Sequence, residues 1–263
     1  MANRRPIYTS GSSELIPTGV KWLLIINVAV FFLYNITGVV MGYGALWYPL
    51  GLIPGDVIQR FAVWQLVTYM FLHDPTGLLH LLFNMLGLWV FGATLERTWG
   101  TREFLKYYML CGVGAGVCVV LANLIFSANL ETRTIGASGA IFGLLLAFAY
   151  LFPDQRLLVE FIVPMKAKYY AMIFGAAAFL FSLQGTGGGV SHIAHLGGMV
   201  IGFIYLRSKN RDSYPSMNRR RSVRSNPIDS VRGWYKNWKT YRARRKFEVY
   251  MKNRDRDRDR FVH

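Results

Sequence analysis

Long runs of apolar residues without charged side chains constrain this chain more than any other feature of its sequence. A run of about 20 apolar residues is long enough, at helical rise, to cross the hydrocarbon layer of a membrane. Of the 263 residues, 53% are hydrophobic and 15% are aromatic. Many Trp and Tyr residues lie near the ends of the apolar runs, as rings at the headgroup level do. The sequence therefore predicts an integral membrane protein.

The apolar runs predict an all-α fold in which a bundle of six helices spans the membrane. The predicted spans are residues 20–41, 78–95, 105–126, 136–152, 169–183 and 189–205. They divide the chain into three parts. These are an N-terminal cytoplasmic segment (1–18), a six-helix domain (19–207) and a basic cytoplasmic tail (208–263).

The net charge of +16 at pH 7 is unevenly distributed and indicates how the chain is oriented. From Arg207 to the end, 19 Lys and Arg residues face 6 Asp and Glu residues. The predicted inner connections are also rich in Lys and Arg, whereas the outer connections hold chiefly Arg60 and Arg133. The positive-inside rule therefore predicts that both termini are cytoplasmic. We expect no removable signal peptide or organelle-targeting segment, which favours a bacterial inner membrane.

The basic tail is predicted to contact membrane lipids. Residues 208–227 are rich in Arg, Ser and Asn and are predicted to be disordered. Residues 231–252 carry aromatic residues at helical spacing among Lys and Arg, which is typical of an amphipathic helix on an anionic inner leaflet. Nothing in the tail is typical of a nucleic-acid-binding fold, so nucleic acid is not an expected partner.

The connection between the first two spans, residues 42–77, is too apolar for a free outer loop. We expect it to lie partly in the outer face of the membrane as short helices. Two interpretations stay open at this point. The segment is either an ordinary interfacial loop or a lateral lid beside a site.

Strongly polar residues inside spans are costly and mark functional sites by default, and five of them fall in the even-numbered predicted spans. Each lies within about two turns of the outer end of an even-numbered span, so they share one depth. This arrangement predicts a water-accessible cavity just below the outer surface. The five residues are His80, Asn84, Ser138, His192 and His195.

Several kinds of catalysis can be compared with this set. The paired-His motif of metalloproteases is absent, and no span interior carries the carboxylates of an aspartyl protease. A zinc site would leave Ser138 and Asn84 unexplained. Serine nucleophilic catalysis, which needs a hydroxyl, a base and oxyanion donors, accounts for more of the residues. The zinc alternative would use His73, His80, His192 and His195.

Small residues surround Ser138, in the sequence Gly-Ala-Ser-Gly that opens the fourth span. A helix N-terminus offers free backbone N–H groups and a positive dipole end, which suit an oxyanion. Two G-x-x-x-G spacings, in the fourth and sixth spans, predict tight packing that brings Ser138 beside His195. The glycines predicted to pack closely are Gly136, Gly139, Gly143, Gly198 and Gly202.

On the second span, His80 and Asn84 are four residues apart and share one helix face. A ring N–H of His80 and an amide N–H of Asn84 can both point toward the same developing charge. Each feature alone also fits a structural role, since Gly and Ser often only pack in membrane helices and H-x-x-x-N can form an interhelical polar contact. The conjunction of all of them at one depth favours a site.

At these positions the chain resembles the rhomboid family of intramembrane serine proteases, over roughly residues 21–206. The matching motifs are G-x-S-G at 136–139, A-H-x-x-G-x-x-x-G at 194–202 and H-x-x-x-N at 80–84, with a Glu-Arg pair at 96–97. Two positions differ from the family pattern. Gln65 stands where many relatives have Arg, and Phe142 stands where many bacterial relatives have Tyr. A seventh span is not predicted.

The resemblance implies a Ser–His dyad. Ser138 would attack the scissile carbonyl, and His195 would act as base and then as acid. His80, Asn84 and the Ser138 backbone N–H would hold the oxyanion. His192 would line the water entry or pack, although the sequence leaves it open as the base. No cofactor or metal is expected.

The implied substrates are other membrane proteins, cleaved where a labile transmembrane helix unwinds near the outer face. Two alternatives remain. One is a non-catalytic rhomboid-like protein that binds membrane helices. The other is a transporter or proton relay that depends on His192 and His195 but not on Ser138.

Overall fold

The structure, a computed structural model, describes residues 15–42, 47–126, 129–159, 163–182 and 189–209. Within these ranges the chain is mostly helical. The α-helices are α1 (Thr18–Met41), α2 (Pro54–Gln59), α3 (Gln65–Thr68), α4 (Leu78–Gly87), α5 (Ala93–Trp99), α6 (Thr101–Ile125), α7 (Ser138–Leu151), α8 (Ala167–Ser182) and α9 (Gly189–Ser208). Shorter turns are the 3-10 helices Tyr48–Leu50 and Tyr69–Phe71 and the π-helical segment Leu88–Gly92.

Each of the six predicted spans coincides with a helix, the second being α4 continued through the π-helical segment into α5. Three helical stretches in the described part of the chain are long and apolar enough to cross a membrane. Helices α7 and α8 are apolar but shorter, so the count of six spans stays a prediction. The three long stretches are Thr18–Val40, Leu78–Trp99 and Thr101–Ile125.

Two helix starts differ from the predicted spans for local reasons. The fourth helix begins at Ser138 and not at residue 136, because Gly136 has a φ of +120° that no α-helix contains. The third begins at Thr101, where Gly100 with a φ of +81° turns the chain sharply from α5 into α6. The first turn of α6 contains charged residues, which a hydrophobicity pattern leaves out of a predicted span. The helix includes them because a helix can continue beyond the hydrocarbon layer.

A small antiparallel hairpin departs from the predicted all-α fold. Strand β1 (Arg156–Val159) pairs with strand β2 (Val163–Lys166) between α7 and α8. At the base of the hairpin, Lys166 and Lys168 form ion pairs with Asp154. The prediction treated this segment only as an inner loop. In the structure the two segments pair in register from Arg156 with Lys166 to Val159 with Val163.

Helix α7 is the most enclosed helix of the described part, with most of its side chains buried against α6, α8, α9 and the π-helical segment. Helix α1, in contrast, buries a single stripe and leaves its other faces exposed, as expected of a helix at the edge of a membrane bundle. The α1 stripe comprises Val20, Leu23, Asn27, Phe31 and Tyr34.

A buried carboxylate in α5 joins this helix to the start of α1. Glu96 is 2% exposed, and its Oε1 accepts hydrogen bonds from the Gly19 backbone N–H at 2.7 Å and from the Thr101 hydroxyl at 2.6 Å. Its Oε2 accepts the Val20 N–H at 2.8 Å. Because Pro17 at the N-cap offers no side-chain bond, this carboxylate caps α1 from another helix.

The connection between α1 and α4 contains short helices, as predicted, and Gln65 lies at its centre. The Gln65 side chain is 1% exposed. Its Oε1 accepts the Ile53 N–H at 2.8 Å, and its Nε2 donates to the Pro49 carbonyl at 3.2 Å and to Asp56 at 3.3 Å. Gln65 thus makes three tertiary hydrogen bonds within this connection.

A second set of contacts joins this connection to the segment that precedes α7. Leu52 and Thr134 exchange backbone hydrogen bonds of 3.0 and 2.8 Å. Arg133 donates to the Trp47 carbonyl at 2.8 Å and lies over the Tyr48 ring. The connection between α1 and α4 therefore supports the start of α7 directly.

The predicted N-terminal segment up to residue 14 and the basic tail beyond residue 209 lie outside the described residues. The amphipathic helix predicted over 231–252 lies there as well. These parts stay predictions.

We expect Glu96→Gln to destabilise the protein by about 2–4 kcal/mol, because an amide replaces one carboxylate oxygen and opposes the backbone N–H donors of α1. Thermal unfolding in detergent measures this loss of stability. Glu131→Gln is the matched control, since Glu131 is exposed and the same change there should cost less than about 0.5 kcal/mol. Equal shifts in the two variants would contradict the capping role of Glu96.

Candidate active site

Ser138 is the first residue of α7, and its side chain is half-buried. The turn at Gly136 makes the helix start here, so the N–H groups of the first helical turn, which lack intrahelical partners, surround the serine. Ser138 Oγ lies 2.8 Å from Nε2 of His195 on α9. A hydroxyl and an imidazole from two different helices are therefore within hydrogen-bond distance.

Glycines allow α7 and α9 to approach closely enough for this contact. A Cβ atom added at Gly198 would overlap the carbonyl oxygen of Gly139. One added at Gly143 would lie 3.2 Å from the carbonyl oxygen of Gly198, and one at Gly202 would meet the hydroxyl of Tyr107 on α6. The backbones of α7 and α9 are thus in direct contact along one turn after another.

Aromatic rings surround the two histidines of α9. The Phe142 ring stacks on His195 with centroids 4.1 Å apart and an angle of 1° between the planes. His192 lies one turn away, with its ring 5.2 Å from that of Phe181 and 5.8 Å from that of His195. The stacking fixes the plane of the His195 ring, while His192 packs beside it.

The ring of His80 on α4 faces the turn at Gly136, beside Ser138. Its Cε1 and Nε2 atoms lie 3.1 and 3.2 Å from the position that a Cβ of residue 136 would take, and Ser138 Oγ lies 3.9 Å from that position. Gly136 therefore contacts His80 and is not part of the α7–α9 packing. Asn84 follows one turn later, is buried, and donates from Nδ2 to the His80 carbonyl at 2.7 Å.

Tyr69 supports the turn before Ser138, a role that no pattern in the sequence indicates. Its carbonyl accepts the Gly136 N–H at 2.9 Å. Its hydroxyl donates to the Gly112 carbonyl in α6 at 2.7 Å, and burial raises the pKa of that hydroxyl. Tyr69 thus holds Gly136 and α6 together through contacts between residues far apart in the sequence, which no local pattern encodes.

His73 lies beside His80 in the segment before α4. Its side chain is fully buried, and its ring centroid is 5.2 Å from that of His80. Burial, and then the neighbouring His80, lower the pKa of His73 to about 4, with a smaller opposing effect of the Phe71 backbone. The ring is therefore neutral at pH 7.

No three His, Cys, Asp or Glu side chains within the described ranges lie close enough to hold a metal ion. His73 pairs with His80 and His192 with His195, so the four histidines of the zinc alternative form two ring pairs. The Ser138 hydroxyl lies beside the His195 ring of the second pair.

A family model for the Rhomboid domain matches residues 60–209, more than half of the chain. The chain belongs to the rhomboid family. The match contains every residue of the site described above. Together with the long apolar helices, it identifies this rhomboid protein as an integral membrane protein.

Several curated relatives are about 30% identical to this rhomboid protein over the residues that align. Rhomboid protease GluP of Bacillus subtilis (strain 168) is 29% identical over 72% of the chain and 34% of its own length. RHOMBOID-like protein 1 of Arabidopsis thaliana is 31% identical over 68% of the chain and 43% of its own length. Rhomboid protease AarA of Providencia stuartii is 29% identical over 69% of each protein. The chain thus spans about a third of the length of GluP and two thirds of AarA.

We expect Gly198→Ala to destabilise the protein by about 3 kcal/mol, because the added methyl group would force α7 and α9 apart. Gly175→Ala in α8 is the matched control. Its methyl group would meet only the end of the Met199 side chain, at 3.2 Å, and should cost less than about 1 kcal/mol. Thermal unfolding of both variants in detergent tests this, and a larger loss for Gly175→Ala would contradict the packing described.

The buried, neutral His73 should make stability depend on pH. Because its pKa is about 4 in the folded protein and about 6.5 when unfolded, its contribution is complete above pH 6.5 and is lost as the pH falls toward 4. The shift corresponds to about 3 kcal/mol. We expect His73→Phe to flatten the decline of the melting temperature between pH 6.5 and 4. An unchanged slope would contradict the assignment.

Proposed function

We propose that this rhomboid protein is an intramembrane serine endopeptidase that cleaves transmembrane segments of other membrane proteins. The observation that carries the proposal is the 2.8 Å contact between Ser138 Oγ and His195 Nε2, held at a helix N-terminus by two closely packed helices. A hydroxyl beside an imidazole is the arrangement that serine nucleophilic catalysis needs. The name protease, carried by GluP and AarA, supports the same activity.

The reaction follows from the atoms around Ser138. Its hydroxyl donates its proton to Nε2 of His195 while Oγ attacks the scissile carbonyl, which gives a tetrahedral oxyanion. His195 then gives that proton to the leaving amine, the C–N bond breaks, and an acyl-enzyme remains. A water molecule, deprotonated by His195, hydrolyses the ester and releases Ser138. Stacking on Phe142 keeps the His195 ring in place for both proton transfers.

The oxyanion would be held by N–H donors from two helices. The Ser138 backbone N–H belongs to the first turn of α7, where the helix dipole favours negative charge. His80 points its Nε2 edge toward the turn before Ser138, and Asn84 lies on the same face of α4. Donors of this kind contribute about 10²–10³ in rate each.

The six apolar helices would form the protease domain, residues 19–207, as six membrane spans. The enclosed α7 is shorter than the peripheral helices, so Ser138 at its start would lie below the outer surface. Substrate helices would have to unwind near that surface, and small residues at the cleavage site are expected. No cofactor or metal is required. Water would reach the acyl-enzyme from the outer face through the polar pocket.

The Lys and Arg distribution favours cytoplasmic termini, with residues 1–18 and the tail 208–263 on the inner side of a bacterial inner membrane. The tail would bind anionic lipid. Deleting the tail from residue 211 onward should then leave the rate of proteolysis within about twofold, since the residues proposed to react all lie in the six-helix domain.

Ser138→Ala and His195→Ala should each lower cleavage of a labile transmembrane substrate in proteoliposomes by about 10³-fold or more. Ser182→Ala is the matched control and should retain activity, since the Ser182 hydroxyl at the end of α8 donates to the Phe179 carbonyl of its own helix. A fluorophosphonate should label the protein covalently, and this label should be absent from Ser138→Ala.

The same assay separates the alternatives. A non-catalytic protein would bind the substrate without cleaving it, and a proton relay would lose its transport in His192 and His195 variants but not in Ser138→Ala. If His192→Ala abolished cleavage while His195→Ala did not, the base would be His192. Cleavage that persists in Ser138→Ala would exclude Ser138 as the nucleophile.

A further inference from the structure

His73 is a fully buried imidazole outside the residues that would contact a substrate. Neither of its ring nitrogens has a hydrogen-bond partner among the described residues. A buried polar group without a partner costs free energy and is uncommon in folded proteins. His73 therefore calls for an explanation, and the imidazole of His80 lies 5.2 Å away between ring centroids.

That distance matches a direct bond between the two rings. A ring nitrogen lies about 1.1 Å from the centre of an imidazole, and an N–H···N hydrogen bond is about 3 Å long, so bonded rings sit about 5 Å apart. The rings are tilted by 55°, so a modest rotation about the side-chain bonds aligns a nitrogen of each. Hydrogen bonds in active sites often tighten only when the site is engaged.

The consequence concerns the proton on His80. Its Nε2 edge faces Gly136 and Ser138, so an N–H at Nε2 would stabilise the oxyanion, whereas a lone pair there would repel it. In a neutral imidazole only one nitrogen carries the proton, and the partner of the other nitrogen decides which. A donor at Nδ1 of His80 therefore selects the useful tautomer.

We propose that His73 is a positioning residue that donates a ring N–H to Nδ1 of His80 and so fixes the His80 tautomer with its N–H at Nε2. The rate effect rests on the proposed function, but the tautomer itself does not. His73 is neutral at pH 7 because burial lowers its pKa to about 4, so it carries one N–H and one lone pair and can act as this donor.

Nitrogen NMR tests the tautomer without any catalysis. The full chain contains 5 histidines, so selective ¹⁵N-histidine labelling gives few signals, and protonated and unprotonated ring nitrogens are well separated. The measurement uses the Ser138→Ala protein in detergent, with His80→Gln to assign the His80 signals. We expect His80 to be neutral, protonated at Nε2, and to become a mixture of tautomers when His73→Phe is added.

Kinetics test the consequence in the active protein. His73→Phe keeps a ring but removes both nitrogens, and should lower kcat by about tenfold to a hundredfold while KM stays within about twofold. Asn and Gln carry an amide N–H near the positions of the His Nδ1 and Nε2 atoms, respectively. One of His73→Asn and His73→Gln should therefore restore most of kcat and the Nε2 tautomer.

The outcomes are distinguishable. A His80 tautomer that is the same with His73 and with Phe at position 73, or a lone pair at Nε2 of His80 in the Ser138→Ala protein, overturns the proposal. If His73→Phe fails to fold, the His73→Asn and His73→Gln variants take its place. Loss of the Nε2 tautomer of His80 in both of them also overturns the donor role of His73. A correct tautomer in a protein that cleaves nothing would instead count against the proposed protease function.

Discussion

Helices α7 and α9 touch at their backbones where Gly139 faces Gly198, and the rest of the site depends on this approach. The contact is possible because Gly198 has no side chain, since a Cβ atom there would overlap the carbonyl oxygen of Gly139. It brings the first residue of α7, Ser138, to 2.8 Å from a histidine that lies 57 positions later in the chain. Any side chain between these helices would separate the hydroxyl from the imidazole. In a membrane, where apolar surface gains little by leaving lipid, such close packing supplies the attraction between helices.

Other hydrogen bonds in this rhomboid protein, away from Ser138 and His195, hold the helices and the turn before α7 in place. The outer connection, fixed internally by Gln65, reaches the turn before α7 through Leu52 and through the carbonyl of Tyr69. Glu96 accepts two hydrogen bonds from the first turn of α1 and one from Thr101. Buried polar atoms need such partners because no water is present to satisfy them in the hydrocarbon layer. His73 is an exception, and it lies next to the site.

Several features could not be predicted from the sequence, because they depend on distant parts of the chain. The replacement of the family's arginine by Gln65 gave no indication that an amide would bond to Ile53, Pro49 and Asp56. The hairpin between α7 and α8 looked like a loop, since four-residue strands carry too little pattern. Gly136 was expected to pack between helices, but its positive φ places it before the start of α7 and against His80.

The sequence alone determined the positions of the long helices, the family, and the motifs that contain Ser138, His195, His80 and Asn84. Apolar runs and short motifs are local, so each can be recognised without knowing what it packs against. The tertiary structure decided which of these groups meet: the Ser138–His195 contact, the stacking of Phe142 on His195, and the pairing of His73 with His80. These depend on distances of a few ångströms between helices. Such distances are set by side-chain volumes on both partners at once, and no single stretch of sequence contains them.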